Sequence, residues 1–228
     1  MNLCVIPARG GSKRIPRKNI KLFGGKPMIV WSIEAAMECR VFDRIIVSTD
    51  DVEIAAKSRE CGAEVPFMRP AGLSDDHTGT SPVIAHAIDW CIENGFEPQN
   101  ICCIYATAPF ILSTDILKGF NIIKKGNVDF VFSVTEFPFP IQRAIKLCPD
   151  GGVEMFEPSK FNKRSQDLVK AYHDAGQFYW GTTLSWKSGQ HIFGPKSFPI
   201  YLPRYRVQDI DNPEDWDYAE LIFKALKK

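Results

Sequence analysis

Positive charge is concentrated in one short stretch near the start of the chain, around a pair of glycines. Five cations fall within ten residues there, and they are Arg9, Lys13, Arg14, Arg17 and Lys18. The apolar run from residue 3 that precedes them predicts a buried strand, and Gly10 and Gly11 allow the backbone a positive φ. A turn after a strand, with exposed backbone N–H groups and convergent positive charge, suits a polyphosphate. The alternative is a solvated basic loop.

The stretch matches neither of the two most familiar phosphate loops. It contains no G-x-x-x-x-G-K-[ST], and Gly10-Gly11 does not extend to G-x-G-x-x-G. The chain of 228 residues carries a formal net charge of +1, so no overall basic field indicates a nucleic-acid partner. The local cluster of cations therefore stands out against a neutral background.

Two carboxylates near the C-terminus, Asp209 and Asp211, are separated by one residue. In an extended segment alternate side chains point the same way, so both carboxylates could bind one hard cation. Mg²⁺ prefers a few carboxylates together with substrate phosphate oxygens. The alternative is that both residues only cap the helix predicted from residue 213. A polyphosphate loop elsewhere in the chain favours the metal site, because a metal can bridge phosphate oxygens and neutralise developing charge.

A dense polar loop, residues 69–80, follows a predicted strand. Its arginine, hydroxyls and acids could bind a base and a sugar at the carboxyl end of that strand. Thr80 has a structural alternative as a helix cap. The alternative for Asp75 and Asp76 is that they are ordinary surface acids.

Further polar groups lie in the region that follows residue 140. Arg164 could bind a carboxylate substrate through a bidentate contact. His173 precedes Asp174, but adjacency in sequence does not make them a pair in space, and a surface or core histidine is the alternative. No H-E-x-x-H, G-x-S-x-G or Cys–His metal spacing occurs, which leaves zinc and serine hydrolases without support.

Strands and helices alternate through residue 134, and this alternation positions the polar loops. The first predicted strand begins at residue 3, and the others cover 44–48, 64–67, 100–105 and 129–134. Predicted helices cover 27–39, 51–60, 81–94 and 114–125. Asp50 is in the capping pattern of the helix at 51–60. The pattern predicts parallel strands joined by right-handed crossovers in an open α/β sheet. Ligands bind such sheets beyond the carboxyl ends of the strands, where loops 8–19, 49–51, 68–80 and 106–113 fall.

The alternation stops after residue 136. Residues 149–152 (PDGG) predict a hairpin turn between 143–148 and 151–156, residues 157–175 are polar and irregular, 177–186 are strand-like, and 212–227 predict a closing helix capped by Asn212. The hairpin region resembles an arm outside the main sheet, and its phenylalanines would form a dimer surface if they were exposed. The alternative is that it packs on its own domain.

Composition adds coarse limits. Apolar and charged fractions are ordinary for a globular protein. Seven cysteines without a C-x-x-C indicate reduced thiols in a cytoplasmic protein. No signal peptide is expected, and no apolar stretch approaches the length that spans a membrane.

Three motifs resemble the CMP-nonulosonate synthetases, the acylneuraminate cytidylyltransferase family. The most specific is residues 6–19, which match I-P-A-R-x-G-S-K-x-x-P-x-K-N. Residues 69–76 match a second motif through Arg69, Pro70, Leu73 and Asp76. Residues 209–215 match the C-terminal D-I-D-x-P-E-D. The resemblance thus covers nearly the full length of the chain.

Within the family the chain is most similar to the enzymes that act on pseudaminic acid, through residues 73–80 (LSDDHTGT) and 172–179 (YHDAGQFY). Two departures from the sialic acid enzymes support this placement. Where those have L-Q-P-T-S-P, residues 104–109 are IYATAP, so Tyr105 replaces a sugar-contacting glutamine. Their P-L-K becomes residues 140–143 (PIQR), so the basic contact passes to Arg143. Both changes fall on the sugar side and leave the nucleotide side intact.

The resemblance implies a role for each matching residue. The nucleotide would contact Ala8, Arg9, Gly10, Gly11, Ser12, Lys13, Lys18, Asn19, Arg69 and Thr80. The sugar acid would contact Tyr105, Gln142, Arg143, Arg164 and Gln177. Catalysis would fall to Arg9, Lys13 and Lys18, with Asp209 and Asp211 holding Mg²⁺.

The resemblance also implies an architecture and a reaction. The fold would be an open, mostly parallel Rossmann-like sheet of the nucleotide-diphospho-sugar transferase type, in one domain over residues 1–228. An inserted arm, residues 138–176, would reach into the neighbouring site of a homodimer. The reaction would transfer CMP from CTP to the anomeric hydroxyl of a nine-carbon 2-keto sugar acid and release pyrophosphate.

Three other functions stay open. The nearest is a CMP synthetase for sialic, legionaminic or Kdo-type acids. The next is a nucleotidyltransferase that uses another nucleoside triphosphate. The most distant is a catalytically silent nucleotide- or glycan-binding module, against which the retention of both the basic cluster and the acidic pair argues.

Overall fold

The computed structural model describes residues 1–226 as an α/β fold around one six-stranded sheet. The strands are β1 (Asn2–Pro7), β2 (Leu22–Phe23), β3 (Lys26–Pro27), β4 (Arg44–Ser48), β5 (Asn100–Ile104), β6 (Phe130–Glu136), β7 (Ile145–Leu147), β8 (Val153–Met155), β9 (Tyr172–Thr182) and β10 (Ser197–Tyr201). The helices are α1 (Met28–Cys39), α2 (Val52–Glu60), α3 (Thr80–Glu93), α4 (Ser113–Ile123), α5 (Thr183–Lys187) and α6 (Pro213–Leu226). Lys227, the last residue of the predicted closing helix, lies outside the described residues.

The central sheet has the order β10-β6-β9-β5-β1-β4 and is mostly parallel, as the sequence predicts. β1 pairs in parallel with β4 and β5, and β6 pairs in parallel with β10. β9 joins these two groups and runs antiparallel to both β5 and β6. The strand predicted at 64–67 reduces to a single bridge between Glu64 and Ile46, because the short segment turns away after one pairing.

β9 begins at Tyr172, five residues before the start that the sequence predicts, and it contains a wide irregularity. Val134 pairs with Asp174 and Phe132 pairs with Tyr179, so several β9 residues lie opposite Ser133 alone. The Ser133 hydroxyl accepts hydrogen bonds from the backbone N–H groups of Gln177 (3.3 Å) and Phe178 (3.4 Å). Such bulges re-aim side chains beside functional sites. The last residues of the predicted arm, 172–176, therefore belong to the central sheet.

The sequence predicts the caps of two helices, and the one at α2 is wrong by one residue. Asp51 rather than Asp50 caps α2, since its Oδ1 accepts hydrogen bonds from the N–H groups of Glu53 (3.0 Å) and Ile54 (2.9 Å). At α6 the prediction is confirmed, because the Asn212 side chain accepts a hydrogen bond from Asp215 N–H at 3.0 Å. The apolar face of α6 packs with Phe23 and Phe110 in a small core beside the sheet.

The region 138–171 extends from the sheet as a separate hairpin, β7 with β8, and irregular turns. It exposes large apolar side chains: Leu147 is 81% exposed, Val169 79% and Phe139 78%. Exposure of this kind marks surfaces that bind partners. Among the described residues, no helix combines the length and the apolarity that crossing a bilayer needs.

Candidate active site

An open cavity of about 300 Å³ lies beyond the carboxyl ends of β1 and β5. It brings together most of the residues predicted to contact a nucleotide: Arg9, Ser12, Lys13, Lys18, Asn19, Arg69 and Thr80. Four of the five clustered cations line it, because Arg14 joins Arg9, Lys13 and Lys18. The sequence pattern included Arg14 in the cluster but gave it no role.

The fifth cation, Arg17, points elsewhere. Its guanidinium forms ion pairs with Asp51 and Glu53 at the start of α2. Hydrogen bonding to the Asp51 carboxylate raises the pKa of Arg17, and the same contact lowers the pKa of the Asp51 carboxyl. Arg17 therefore ties the loop to α2 rather than facing the cavity.

Gly10 is needed for a different reason from the one the sequence suggests, and a Cβ on Gly11 would meet nothing within 4 Å. Neither Gly10 nor Gly11 has a positive φ. A Cβ on Gly10 would come within 2.7 Å of Asp51 Oδ2, and Gly10 N–H donates to Asp50 Oδ1 at 2.8 Å. Gly10 thus allows the loop to pack closely on the 50–51 turn. Ala8 and both glycines build the loop without lining the cavity.

Asp76 pairs with two cations of the loop. Its two oxygens pair with Arg9 Nη1 (2.6 Å) and with Lys13 Nζ. Hydrogen bonds from Lys13 and then Arg9 lower the pKa of Asp76. Asp75 instead closes its own turn by accepting from the N–H groups of His77 (2.9 Å) and Thr78 (2.6 Å). Part of the positive charge that would bind an anion is therefore already paired within the protein.

Two buried polar side chains fix the floor of the cavity. Asn19 is 5% exposed, and its Nδ2 donates to the Arg9 carbonyl at 2.9 Å. Arg69 is 7% exposed and donates from Nη2 to the Ser48 carbonyl at 2.7 Å. Burial lowers the pKa of Arg69, and its Nε has no hydrogen-bond partner in the part of the chain that the structure describes.

Thr80 begins α3, and its hydroxyl lies 3.0 Å from the Tyr105 hydroxyl. The helix-cap alternative for Thr80 does not hold, because Gly79 occupies the capping position. Tyr105 separates this cavity from a second one of about 460 Å³, which shares Tyr105 and Thr107 with the first. The two cavities therefore adjoin.

The second cavity contains groups to which the sequence assigned no role. Asp174 and Tyr179 line it, and the Tyr179 hydroxyl donates to Asp174 Oδ2. Burial raises the pKa of Tyr179, so its hydroxyl stays protonated. The His173 ring contacts the Asp174 backbone oxygen at 2.9 Å and does not pair with the Asp174 carboxylate. In the sequence, the signal for these groups is the motif at 172–179.

The acidic pair lies where the two cavities meet. Asp211 lines the first cavity and Asp209 lines the second. Lys18 Nζ donates to the Ile210 carbonyl between them at 2.7 Å. Arg14 pairs with Asp211 at 2.8 Å, and Lys18 Nζ lies 3.6 Å from the same carboxylate. Neither acid caps α6, since Asn212 does so, and the capping alternative is therefore wrong.

Two carboxylates at this junction suit a divalent cation. Partial desolvation, followed by the negative charge of Asp211, raises the pKa of Asp209. A bound cation would relieve both effects, because it favours the ionised form. Among residues 1–226 no cluster of three or more candidate metal ligands occurs, so a cation held by these two carboxylates would need further ligands from water or substrate.

The residues predicted to contact the sugar acid divide into two groups. Tyr105 lines both cavities. Three others line neither cavity and form hydrogen bonds inside the 138–171 region. Gln142 donates to the Val169 carbonyl (3.0 Å), Arg143 to the Lys163 carbonyl, and Arg164 to Asp167 (2.8 Å). Gln177 is 3% exposed and donates to the Arg206 carbonyl at 2.6 Å. Their contact with a sugar stays a prediction.

Comparison with known proteins identifies the fold and the family. Residues 3–177 match the family model described as cytidylyltransferase. The chain belongs to the cytidylyltransferase family. It is 46% identical over 225 residues, covering 98% of this chain and 97% of the relative, to a protein of Campylobacter jejuni named pseudaminic acid cytidylyltransferase. The resemblance to CMP-nonulosonate synthetases that the motifs predict is thereby confirmed.

Two further relatives show the breadth of the family. A Legionella pneumophila protein named CMP-N,N'-diacetyllegionaminic acid synthase is 30% identical, covering 97% of this chain and 96% of its own. Among solved structures, a CMP:2-keto-3-deoxy-manno-octonic acid synthetase complexed with CTP superposes with a TM-score of 0.71 at 14% identity and covers 99% of each chain. At that identity the match establishes the shared fold.

Proposed function

We propose that this cytidylyltransferase transfers CMP from CTP to the anomeric 2-hydroxyl of pseudaminic acid and releases pyrophosphate. The observation that carries the proposal is the pair of adjoining cavities, one cationic and one not, with Asp209 and Asp211 at their junction. A triphosphate and an acceptor bound in the two cavities would meet at this junction. The 46% identity to an enzyme named for pseudaminic acid supports this choice of acceptor.

The cationic cavity would hold the nucleotide. Arg9, Lys13, Arg14 and Lys18 supply fixed positive charge for the triphosphate. Asn19, Thr80 and Arg69 line the same cavity and would contact the base and ribose. Because Asn19 and Arg69 are held by backbone carbonyls, these contacts are arranged before the ligand binds, which reduces the cost of binding.

In the proposed reaction the 2-hydroxyl oxygen of the sugar acid attacks the α-phosphorus of CTP. The bond from that phosphorus to the bridging oxygen breaks, pyrophosphate leaves, and the hydroxyl proton passes to solvent. The clustered cations neutralise the charge that grows on the leaving group, so catalysis is positioning together with electrostatic stabilisation. Asp209 and Asp211 would hold Mg²⁺, which supplies Lewis-acid charge at the phosphates when bound.

The acceptor side is proposed to include residues of a second subunit. Tyr105 faces the acceptor cavity from within the chain. Gln142, Arg143 and Arg164 belong to the apolar-rich 138–171 region, whose exposed side chains suit burial against another copy. The arm of one subunit would then deliver its polar residues to the site of the other, in a homodimer.

We expect pyrophosphate release with CTP to be fastest on pseudaminic acid, by about 10²-fold or more in kcat/KM over other acids, since polar subsites discriminate strongly. The test is a panel of pseudaminic, N-acetylneuraminic, legionaminic and 2-keto-3-deoxy-octonic acids with CTP, repeated with ATP, GTP and UTP. Preference for another acid, or for another triphosphate, contradicts the substrate assignment. CTP binding without pyrophosphate release on any acid indicates a binding module.

Asp76→Asn is expected to tighten CTP binding by about two- to fivefold. The substitution frees Arg9 and Lys13 from an internal carboxylate, and exposed ion pairs have small effects of this order. Isothermal titration of CTP into both proteins without sugar acid measures the change. The control is Asp89→Asn, which breaks an exposed ion pair between Asp89 of α3 and Lys187. Weaker CTP binding in Asp76→Asn would show that Asp76 orients the cations instead.

A further inference from the structure

The segment that carries Asp209 and Asp211 has no regular structure of its own. It runs from a short turn at Arg204–Arg206 to the start of α6. Within the described chain, residues 208–211 form no backbone-to-backbone hydrogen bond. On its C-terminal side the segment is held by Lys18 at the Ile210 carbonyl and by Asp215, which accepts from Asp211 N–H at 2.9 Å. The position of the carboxylates therefore depends on side chains that anchor each end.

The N-terminal end is anchored through Arg206. Its carbonyl accepts a hydrogen bond from Gln177 Nε2 at 2.6 Å. Gln177 is 3% exposed and sits in the bulge of β9 opposite Ser133, so its amide has little freedom to turn. A hydrogen bond from a buried, immobile donor fixes the acceptor carbonyl.

The side chain of the same residue forms an ion pair inside the protein. Arg206 Nη1 lies 2.7 Å from Asp115 Oδ2 in the first turn of α4, as a contact between charges that lacks the angles of a hydrogen bond. The Asp115 side chain is 2% exposed and the Arg206 side chain 15%. Removing one member of such a pair leaves the other buried and uncompensated, which is strongly unfavourable. Lys118 Nζ contacts the other Asp115 oxygen at 2.7 Å, but that lysine is 63% exposed.

We infer that Gln177, Arg206 and Asp115 together position the two carboxylates, and we name this set the Arg206 anchor. The inference rests on the proposed function, in which Asp209 and Asp211 hold the divalent cation. Arg206 precedes Asp209 by three residues, or about 10 Å of extended chain, so a shift at the anchor passes directly to the carboxylates. Gln177 then acts on the acidic segment through Arg206 and makes no contact with the sugar acid.

Direct metal binding without the acceptor tests the inference. Mn²⁺ binding to the protein–CTP complex is followed by water-proton relaxation enhancement, with Asp115→Asn and Gln177→Met as the variants. Both are expected to weaken Mn²⁺ binding by about 10- to 100-fold, the range for residues that orient metal ligands. In steady-state assays, kcat/KM is expected to fall by a similar factor while the KM for the sugar acid stays constant.

Lys118→Gln is the matched control, because it removes the exposed partner of Asp115 and leaves Arg206 in place. We expect its Mn²⁺ affinity to equal that of the wild type. If Asp115→Asn does not fold, Arg206→Lys replaces it, since lysine keeps the charge and the backbone carbonyl but not the guanidinium geometry.

Two results would overturn the inference. One is unchanged Mn²⁺ affinity in folded Gln177→Met together with a raised KM for the sugar acid, which would make Gln177 a sugar contact. The other is unchanged Mn²⁺ affinity in folded Asp115→Asn or Arg206→Lys. A wild-type protein that releases no pyrophosphate with any acid refutes the proposed function, while the Mn²⁺ titration still decides on the anchor.

Discussion

Arg9→Ala is expected to lower kcat/KM for pyrophosphate release by about 10²-fold or more. Arg9 lines the cationic cavity, and Asp76 holds its guanidinium there at 2.6 Å, so its charge already lies in the cavity proposed for the triphosphate. Loss of one preorganised donor that stabilises developing charge has an effect of this size. The measurement is a steady-state assay with CTP and the preferred sugar acid.

Arg17→Gln provides the comparison from the same loop. Arg17 pairs with Asp51 and Glu53 outside the cavity, so its loss is expected to lower thermal stability slightly and leave kcat/KM within about threefold. Near-normal turnover in Arg9→Ala would remove Arg9 from the mechanism. A large loss in Arg17→Gln would mean that the shape of the loop, rather than its charge, limits the rate.

Asp209→Asn and Asp211→Asn are each expected to lower kcat/KM by at least about 10²-fold and to raise the Mg²⁺ concentration needed for half-maximal rate. Each substitution removes one of two carboxylates at the junction of the cavities. Lewis-acid stabilisation amounts to several kcal/mol, and each 1.36 kcal/mol is a factor of ten in rate. A Mg²⁺ titration of the pyrophosphate-release rate measures both quantities, and an unchanged metal requirement would contradict the assignment.

The same two variants are expected to differ in stability without ligands. The pKa of Asp209 is raised by desolvation and by Asp211, so the folded protein holds its proton more tightly than the unfolded chain, and ionisation at neutral pH opposes folding. At neutral pH, Asp209→Asn should therefore raise the melting temperature slightly. Asp211 pairs with Arg14 and Lys18, so Asp211→Asn should lower it.

Asp217→Asn, on the exposed side of α6, is the control for both measurements and should change neither activity nor melting temperature. A lower melting temperature in Asp209→Asn would indicate that this carboxylate stabilises the fold. In that case the main role of Asp209 at the junction would be structural.

The sequence predicted the alternating half of the fold because apolar runs and helix signals are local. It did not reveal the direction of β9 or the existence of β10, since periodicity carries no information on chain direction or on distant pairing. The spacing of Asp50 and Glu53 predicts Asp50 as the cap of α2, but Asp50 accepts a hydrogen bond from Gly10 N–H and Asp51 caps the helix.

The same distinction between local and distant information applies to the residues of the candidate site. Arg9, Lys13 and Lys18 could be assigned from a motif that is contiguous in the chain. The pairing of Asp76 with Arg9, and of Tyr179 with Asp174, arises from contacts between loops and across a bulge, which spacing alone does not encode. Gln177 illustrates the limit, because its buried amide meets a carbonyl 29 residues later.

The insertion of β9 between β5 and β6 sets the order in which the protein can fold during synthesis. In the described sheet β9 alone bridges the two parallel groups, so the facing edges of β5 and β6 stay unpaired until residue 182 has left the ribosome. Both edges are open to pairing with other chains during that interval. The strand that carries Asp174, Gln177 and Tyr179 thus joins the two parallel groups, and β10, Asp209 and Asp211 are synthesised only after it.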